Sequence, residues 1–306
     1  MRIDKNLKNN KIELLCYLRN RASESAELVK KSFSESEYKK RAKKINQYVQ
    51  ESAKKVEVQL IQLARNELWT NQELLDNLLL VRYCEYIVML ESRNQMWSYE
   101  YMSFARRIGE IWEPFCKIIY EYPINSLTLF TPPTFSEIKQ LLTSEIENHI
   151  NELSINIEKK NELKKYYKKV WSFVTSGEVK LELDLHFNFE HTNYNIDMKS
   201  SFNSNEKGNT NRLLLVGSIY KSLEENYQNL LFVRAKEIDN NHYLQTLKNS
   251  GIWEVYTGED TYDKMYETTG FDIKSWINEN INWQNDINSE FYTHLENHNL
   301  LGYLEW

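Results

Sequence analysis

Glycine and proline are scarce and unevenly placed in this sequence of 306 residues. Gly109 is the only glycine in the first half, and the other seven lie at position 177 or later. All four prolines fall between positions 114 and 133. Because these two residue types mark turns and interrupt helices, we predict a mostly helical first half and a second half with the turns of a mixed fold.

Cysteines and long apolar runs are also few. The three cysteines are widely separated and form no CxxC pair and no zinc-ligand spacing. We interpret them as buried thiols in a reducing compartment. No apolar run reaches the roughly 18 residues that span a bilayer, and the N-terminus lacks the apolar region of a secretory signal. These absences predict a cytoplasmic protein without a membrane partner.

Two common catalytic motifs are missing. The sequence has no GxxxxGK[ST] phosphate loop, so nucleotide hydrolysis is not expected. It has no GxSxG elbow to support acyl transfer. The net charge of −6 argues mildly against non-specific coating of nucleic acid. It still permits a local basic cleft, because the electrostatic attraction of a charged ligand depends on how the protein's charges are distributed.

Apolar residues recur with helical spacing through much of the first half. Thr-x-x-Glu capping boxes at Thr70 and Thr134 predict the starts of two helices. Pro114 is expected to kink the helix that contains it. The predicted helices cover residues 11–33, 37–68, 70–93, 99–122 and 134–175.

After Gly177 the apolar period changes from about 3.6 residues to about 2, as in β-strands. Residues 179–187 and 194–199 both alternate, and a short polar segment joins them, which predicts an antiparallel hairpin. A helix and a short apolar strand follow, so we expect a parallel crossover. The later predicted elements are a helix at 210–225, strands at 229–235 and 252–258, a helix at 239–251 and a helical tail from 271.

The predicted hairpin gathers carboxylates and one lysine on its polar face. Side chains two apart on a strand share a face, so Asp197 and Lys199 project together and Asp184 lies on the partner strand. Carboxylates are the ligands that Mg²⁺ prefers, and a bound metal lowers the pKa of its water. A lysine beside it can orient or deprotonate that water and stabilise the charged phosphate. The face therefore suits metal-dependent phosphodiester hydrolysis.

An acid-x-Lys triplet has no specificity by itself, because six others occur in this sequence. Only Asp197-Met-Lys199 lies on an alternating strand that follows another strand with an acid 13 residues upstream. That arrangement resembles the PD-(D/E)xK nuclease superfamily. The run DMKSSFNSNEKGNTNR before an apolar helix resembles type II restriction endonucleases in particular.

The resemblance implies a mixed β-sheet core flanked by helices and Mg²⁺-dependent, sequence-specific cleavage of double-stranded DNA. It implies that Asp184 and Asp197 are metal ligands and that Lys199 is the catalytic lysine. No proline precedes Asp184, although family members often lack it. The family often adds a glutamate from a preceding helix, for which Glu110 and Glu113 are candidates. Gly109 would let that helix approach the sheet, although both acids are equally consistent with a solvated helix face.

The polar segment after Lys199 is the second candidate site. It contains residue types that pair with base edges or hold phosphates, and it leads into a helix N-terminus, which itself attracts phosphate. The alternative is a surface connection capped by Asn or Thr. The predicted DNA contacts are Asn203, Asn205, Lys207, Asn209, Asn211 and Arg212.

We therefore predict an α+β or α/β protein with two parts. Residues 1–97 form a helical region that clamps DNA or dimerises, with basic runs such as YKKRAKK, and residues 98–306 form the nuclease core with C-terminal helices. Cutting both strands symmetrically needs two active sites, so a homodimer is expected and a heterodimer is the alternative. Two other functions remain open: a repair or recombination nuclease that reads DNA shape, and a non-catalytic helical interaction protein.

Overall fold

A computed structural model describes residues 2–172, 179–223 and 226–306. Within these ranges the chain is α+β, with a helical N-terminal region followed by a five-stranded mixed sheet and further helices. None of the helices in these ranges has the length and apolar character that crossing a bilayer requires.

The predicted helices of the first half are confirmed, with one exception. The side chains of Thr70 and Thr134 accept hydrogen bonds from the N–H groups of Glu73 and Glu137, as the capping boxes predict. The single helix predicted over 134–175 is wrong, because a turn at 153–156 divides it and Asn156 accepts the N–H of Lys159. The last part of that prediction, 173–175, lies outside the described residues. The six helices are α1 (Lys11–Ser32), α2 (Tyr38–Glu67), α3 (Asn71–Met96), α4 (Tyr101–Glu121), α5 (Phe135–Glu152) and α6 (Ile157–Ser172).

Five strands form one sheet in the order β1-β2-β3-β4-β5. Strands β1, β2 and β3 pair antiparallel, whereas β3, β4 and β5 pair parallel, which confirms both the hairpin and the crossover. The sequence analysis predicted no strand at β1, which lies between Pro123 and Pro132. The strands are β1 (Leu127–Leu129), β2 (Leu185–Phe189), β3 (Thr192–Lys199), β4 (Tyr227–Val233) and β5 (Glu254–Thr257).

Helices lie between the parallel strands, and further helices follow the last strand. Pro114 lies inside α4, which continues without a break on both sides of it. The helix predicted from 210 begins three residues earlier. The remaining helices are α7 (Lys207–Lys221), α8 (His242–Asn249), α9 (Glu259–Thr269), α10 (Ile273–Asn280), α11 (Trp283–Asp286) and α12 (Ser289–Asn297).

The first hairpin strand is shorter than predicted. Strand β2 begins at Leu185 and not at 179, because the chain turns at Asp184. Leu183 donates its N–H to Nε2 of His186 across this turn. Leu181 and Leu183 consequently pack against one face of the sheet while Phe187 packs against the other. The single apolar face predicted for 179–187 is therefore wrong.

Two apolar clusters cover the two faces of the sheet. On β4, Leu230 and Phe232 join a large cluster with α1 to α4 and the C-terminal helices, whereas Leu231 and Val233 join a second cluster with α7 and α8. The first cluster contains residues from both 1–97 and 98–306. The predicted division of the chain into 1–97 and 98–306 stays a prediction.

A directional chain of buried polar side chains crosses the sheet. Nε2 of His186 accepts the Leu183 N–H, so its Nδ1 must donate to Oδ1 of Asn195, 2.8 Å away. Nδ2 of Asn195 donates to Oδ1 of Asn229, whose own Nδ2 donates to the Gly217 carbonyl. Burial lowers the pKa of His186, which favours the neutral ring that this chain requires. The network fixes the β2–β3–β4 register at the level just before the candidate acids.

We predict that Asn195→Leu lowers the free energy of unfolding by about 2–4 kcal/mol, because it leaves His186 Nδ1 and Asn229 Oδ1 buried without partners. Urea denaturation measures this change. Asn188→Leu is the matched control, since Asn188 is partly exposed and loses one bond to Asn193. Equal losses in both variants would contradict the role given to the buried network.

Candidate functional site

Four of the five predicted catalytic residues meet at the carboxyl end of β3, where α4 and α7 approach the sheet: Asp184, Asp197, Lys199 and Glu113. Gly109 brings α4 close to the residue that follows β3, because a Cβ at this position would lie 2.7 Å from Oγ of Ser200. The sequence prediction that this glycine permits a close approach is confirmed. The contact brings the middle of α4 alongside the last residues of β3.

Asp197 is the centre of the site. Its carboxylate is 1% exposed and lies between two cations. Oδ1 is 2.7 Å from Nζ of Lys199, and Oδ2 accepts a hydrogen bond of 2.9 Å from the guanidinium of Arg212 on α7. Although the Lys199 ammonium is close to Oδ1, this oxygen makes no hydrogen bond of acceptable geometry. Asp197 and Lys199 share one face of β3, as the strand period predicts.

Asp184 joins the site from the turn just before β2. Its Oδ2 accepts the N–H of Met198 at 2.7 Å, which continues the β2–β3 ladder past the turn. Its Oδ1 lies 3.8 Å from Nζ of Lys117. Lys117 also contacts Glu113 at 2.6 Å, one helical turn away on α4. Three carboxylates and three cations thus lie together here: Asp184, Asp197, Glu113, Lys117, Lys199 and Arg212.

Burial and mutual charge perturb the titration of these groups. Burial raises the pKa of Asp197, and the neighbouring Lys199 opposes that rise. Burial and then the charge of Asp184 raise the pKa of Glu113, against the hydrogen bond from Lys117. Burial would lower the pKa of Lys199, but its ion pair with Asp197 raises it overall. Lys199 is therefore held as an ammonium in this arrangement.

The two candidate glutamates of α4 occupy different surroundings. Glu113 lies in the cluster described above, whereas Glu110 pairs with Arg106 at 2.6 Å and with Arg107 at 3.5 Å. The four side chains Arg106, Glu110, Glu113 and Lys117 follow one helical face with spacings of four, three and four residues. Glu113 is thus the glutamate that accompanies Asp184 and Asp197.

The predicted DNA-contacting residues divide between a loop and a helix. Asn203 and Asn205 are exposed in the loop, and Asn205 accepts a hydrogen bond from the hydroxyl of Tyr243. The other four belong to the first turns of α7, so Lys207 and Asn209 lie within the helix and not in the segment predicted to precede it. Helix α7 begins at Lys207, and Glu206 precedes it without a side-chain capping hydrogen bond. Those four residues are Lys207, Asn209, Asn211 and Arg212.

The site's suitability for a metal rests on two carboxylates. In the three ranges that the structure describes, no group of three or more His, Cys, Asp and Glu side chains is arranged to hold a metal ion. Magnesium, however, commonly binds through one or two carboxylates and keeps several waters. Asp184 and Asp197 fit this requirement, and Oδ1 of Asp197 is a buried oxygen without a hydrogen bond.

Comparisons with known proteins give no further assignment, since no family model, curated protein or solved structure matches the chain. Sequence reasoning missed Lys117 entirely, although its spacing of four residues from Glu113 on a predicted helix would have placed it on the same face. It also assigned Arg212 to DNA alone and missed its bond to Asp197. No local signal gives that contact, because it joins two elements across the loop.

We predict that Gly109→Ala lowers the free energy of unfolding by about 1–3 kcal/mol, because the added methyl overpacks against Ser200. Thermal or urea unfolding measures the loss, and Ser200→Gly in the same chain should restore most of it. Gly208→Ala is the matched control, since a Cβ there meets nothing within 4 Å. It should be neutral or stabilising by up to about 1 kcal/mol. Failure of Ser200→Gly to rescue the variant would argue against this contact.

Proposed function

We propose that this protein is a Mg²⁺-dependent, sequence-specific endonuclease of the type II restriction kind that acts on double-stranded DNA. The observation that supports the proposal best is the convergence of Asp184, Asp197 and Lys199 with Glu113 at one end of the sheet. Asp197 lies on β3, Asp184 lies at the turn just before β2, and Glu113 comes from a helix that precedes both. This is the distribution that the resemblance to PD-(D/E)xK nucleases implies.

Asp184 and Asp197 would hold the metal, and Glu113 is the acid nearest to them on α4. When bound, Mg²⁺ lowers the pKa of a coordinated water and offsets negative charge on the scissile phosphate. The three cations around these acids, Lys117, Lys199 and Arg212, offset negative charge in the protein itself. They keep neighbouring carboxylates together at one site despite their mutual repulsion.

Lys199 is proposed to act on the phosphate as an ammonium. Its pKa is raised by Asp197, so it is poorly suited to take a proton while that ion pair persists. As a charged donor it can hold a non-bridging oxygen and stabilise charge that develops during cleavage. A role as base would require Asp197 to turn away from it.

Arg212 is proposed to bridge the site and the DNA. Its guanidinium reaches Asp197 from α7, whose first turns carry the exposed Lys207 and Asn211. A planar guanidinium matches two oxygens of one phosphate. The same side chain can therefore stabilise Asp197 without substrate and pair with a phosphate when DNA is bound.

The proposed partner is double-stranded DNA, and the proposed assembly is a homodimer. One site cuts one strand, and a two-fold dimer presents a second identical site to the other strand. A heterodimer that cuts an asymmetric sequence is the second form of this proposal.

We predict that Lys199→Ala and Asp197→Asn each reduce the Mg²⁺-dependent cleavage rate by at least about a hundredfold, because each removes a charged group from the reacting phosphate or its metal. Time courses of cleavage of plasmid or phage DNA measure the rates. The matched control is Glu162→Gln with Lys164→Ala, an acid-x-Lys triplet of the same spacing on α6. This control should cut at the rate of the parent.

Three results would count against parts of this proposal. If Lys199→Ala and Asp197→Asn cut as well as the parent, the site assignment is wrong. If the parent cuts no DNA with Mg²⁺ or Mn²⁺, the enzymatic proposal fails. If the parent yields fragments without reproducible ends, a nuclease that reads DNA shape replaces the restriction type.

We also predict that the apparent affinity for Mg²⁺ rises with pH through the acidic range. A carboxylate must be ionised to bind a metal. Burial raises the pKa of Asp197 above the ordinary value of 3.8, so protonation competes with metal at a higher pH than for an exposed aspartate. Calorimetric titration with Mg²⁺ at several pH values measures this dependence. In Asp197→Asn, both the affinity and its pH dependence should diminish, and an unchanged profile would contradict the assignment.

A further inference from the structure

A basic pocket lies between α2, the end of α3 and the first half of α4, next to the candidate site. It has a volume of about 350 Å³. Five cations and a single carboxylate line it: Lys39, Lys43, Arg93, Arg106, Arg107 and Glu110. By contrast, the cavity lined by Lys54, Lys55 and Arg82 together with Glu51, Glu57 and Glu85 carries mixed charge.

The positive charge of this pocket is poorly neutralised within the protein. Glu110 pairs with Arg106 and Arg107. Among the described residues, no carboxylate lies within ion-pair distance of Lys39, Lys43 or Arg93. An excess of four positive charges therefore remains in one recess of a chain whose net charge is −6. Such a concentration attracts anions.

Arg93 is held in a fixed position. It is 7% exposed, and its guanidinium carbon lies 4.1 Å from the ring centre of Trp97 and 3.8 Å from that of Tyr99. The guanidinium also donates to the carbonyl of Trp97. Lys39 lies over the Trp97 ring as well, at 5.4 Å. Because Arg93 and Lys39 both lie against the Trp97 ring, this ring has less room for a stacked base, and the pocket is better suited to phosphate.

One face of α4 connects the pocket to the candidate site. Arg106 and Glu110 line the pocket, and Glu113 and Lys117 continue the same face into the cluster around Asp184. With a rise of about 1.5 Å per residue, Arg106 and Lys117 are about 16 Å apart along the helix. At about 3.4 Å of axial rise per base step, with the strand also winding around the duplex axis, this span covers a few phosphates of one strand.

We propose that this basic pocket binds the phosphate backbone of a DNA strand a few nucleotides from the bond that is cut. The proposal rests on the proposed nuclease function for the identity of the anion. Contacts to phosphates fix register and orientation without reading sequence. The pocket would therefore position the strand along α4.

The test uses the full chain and a fluorescein-labelled DNA duplex of random sequence, with Ca²⁺ in place of Mg²⁺. Fluorescence anisotropy at several salt concentrations gives the affinity and its salt dependence. Lys39→Gln with Lys43→Gln should weaken binding and reduce the slope of log K against log[salt] by about two, since each lost phosphate contact removes about 0.9. The matched control is Lys55→Gln with Arg65→Gln, which removes two exposed charges farther along α2.

The possible outcomes test the proposed DNA-binding role of this pocket independently of the proposed nuclease activity. The pocket is supported if the Lys39 and Lys43 variant alone loses affinity and slope, whether or not the parent cuts DNA. It is overturned if that variant binds as the parent does, if the control loses as much, or if the parent binds no duplex. Binding with the expected losses but without cleavage by any divalent metal would reject the nuclease and keep the pocket.

Discussion

The buried carboxylate of Asp197 is the constraint on which the site depends. A charged group that is 1% exposed at the end of a core strand is costly unless it is paired. Here two cations pair it, one from its own strand and one from α7. That requirement ties the end of β3 to the crossover helix, and so it couples the predicted catalytic strand to the segment predicted to contact DNA.

The turn at Asp184 gives the site its second acid. A regular strand through 179–187 would bury Leu183 and Phe187 on the same face. The turn instead sends them to opposite faces, and it lets the Asp184 carboxylate accept the N–H of Met198. The buried His186–Asn195–Asn229 chain stabilises this turn through the Leu183 N–H. The buried hydrogen-bonded chain in the core therefore also helps to position Asp184 in the candidate site.

Helix α4 links the two halves of the chain. Its apolar side contributes to the large cluster, its glycine allows contact with Ser200, and its charged face runs from the basic pocket to the acids. The net negative charge of the chain gives no sign of the basic pocket, because net charge is summed over all residues. Local concentration of lysine and arginine decides where an anion binds.

The sequence by itself determined much of the secondary structure and the shared face of Asp197 and Lys199. Helical and strand periods, capping boxes and the strand–helix–strand order depend on local contacts, so they can be read along the chain. The tertiary structure alone decided the turn at Asp184, the choice of Glu113 over Glu110, and the contacts of Lys117 and Arg212. Each of these depends on how separate elements pack, and no period or spacing within one element contains that information.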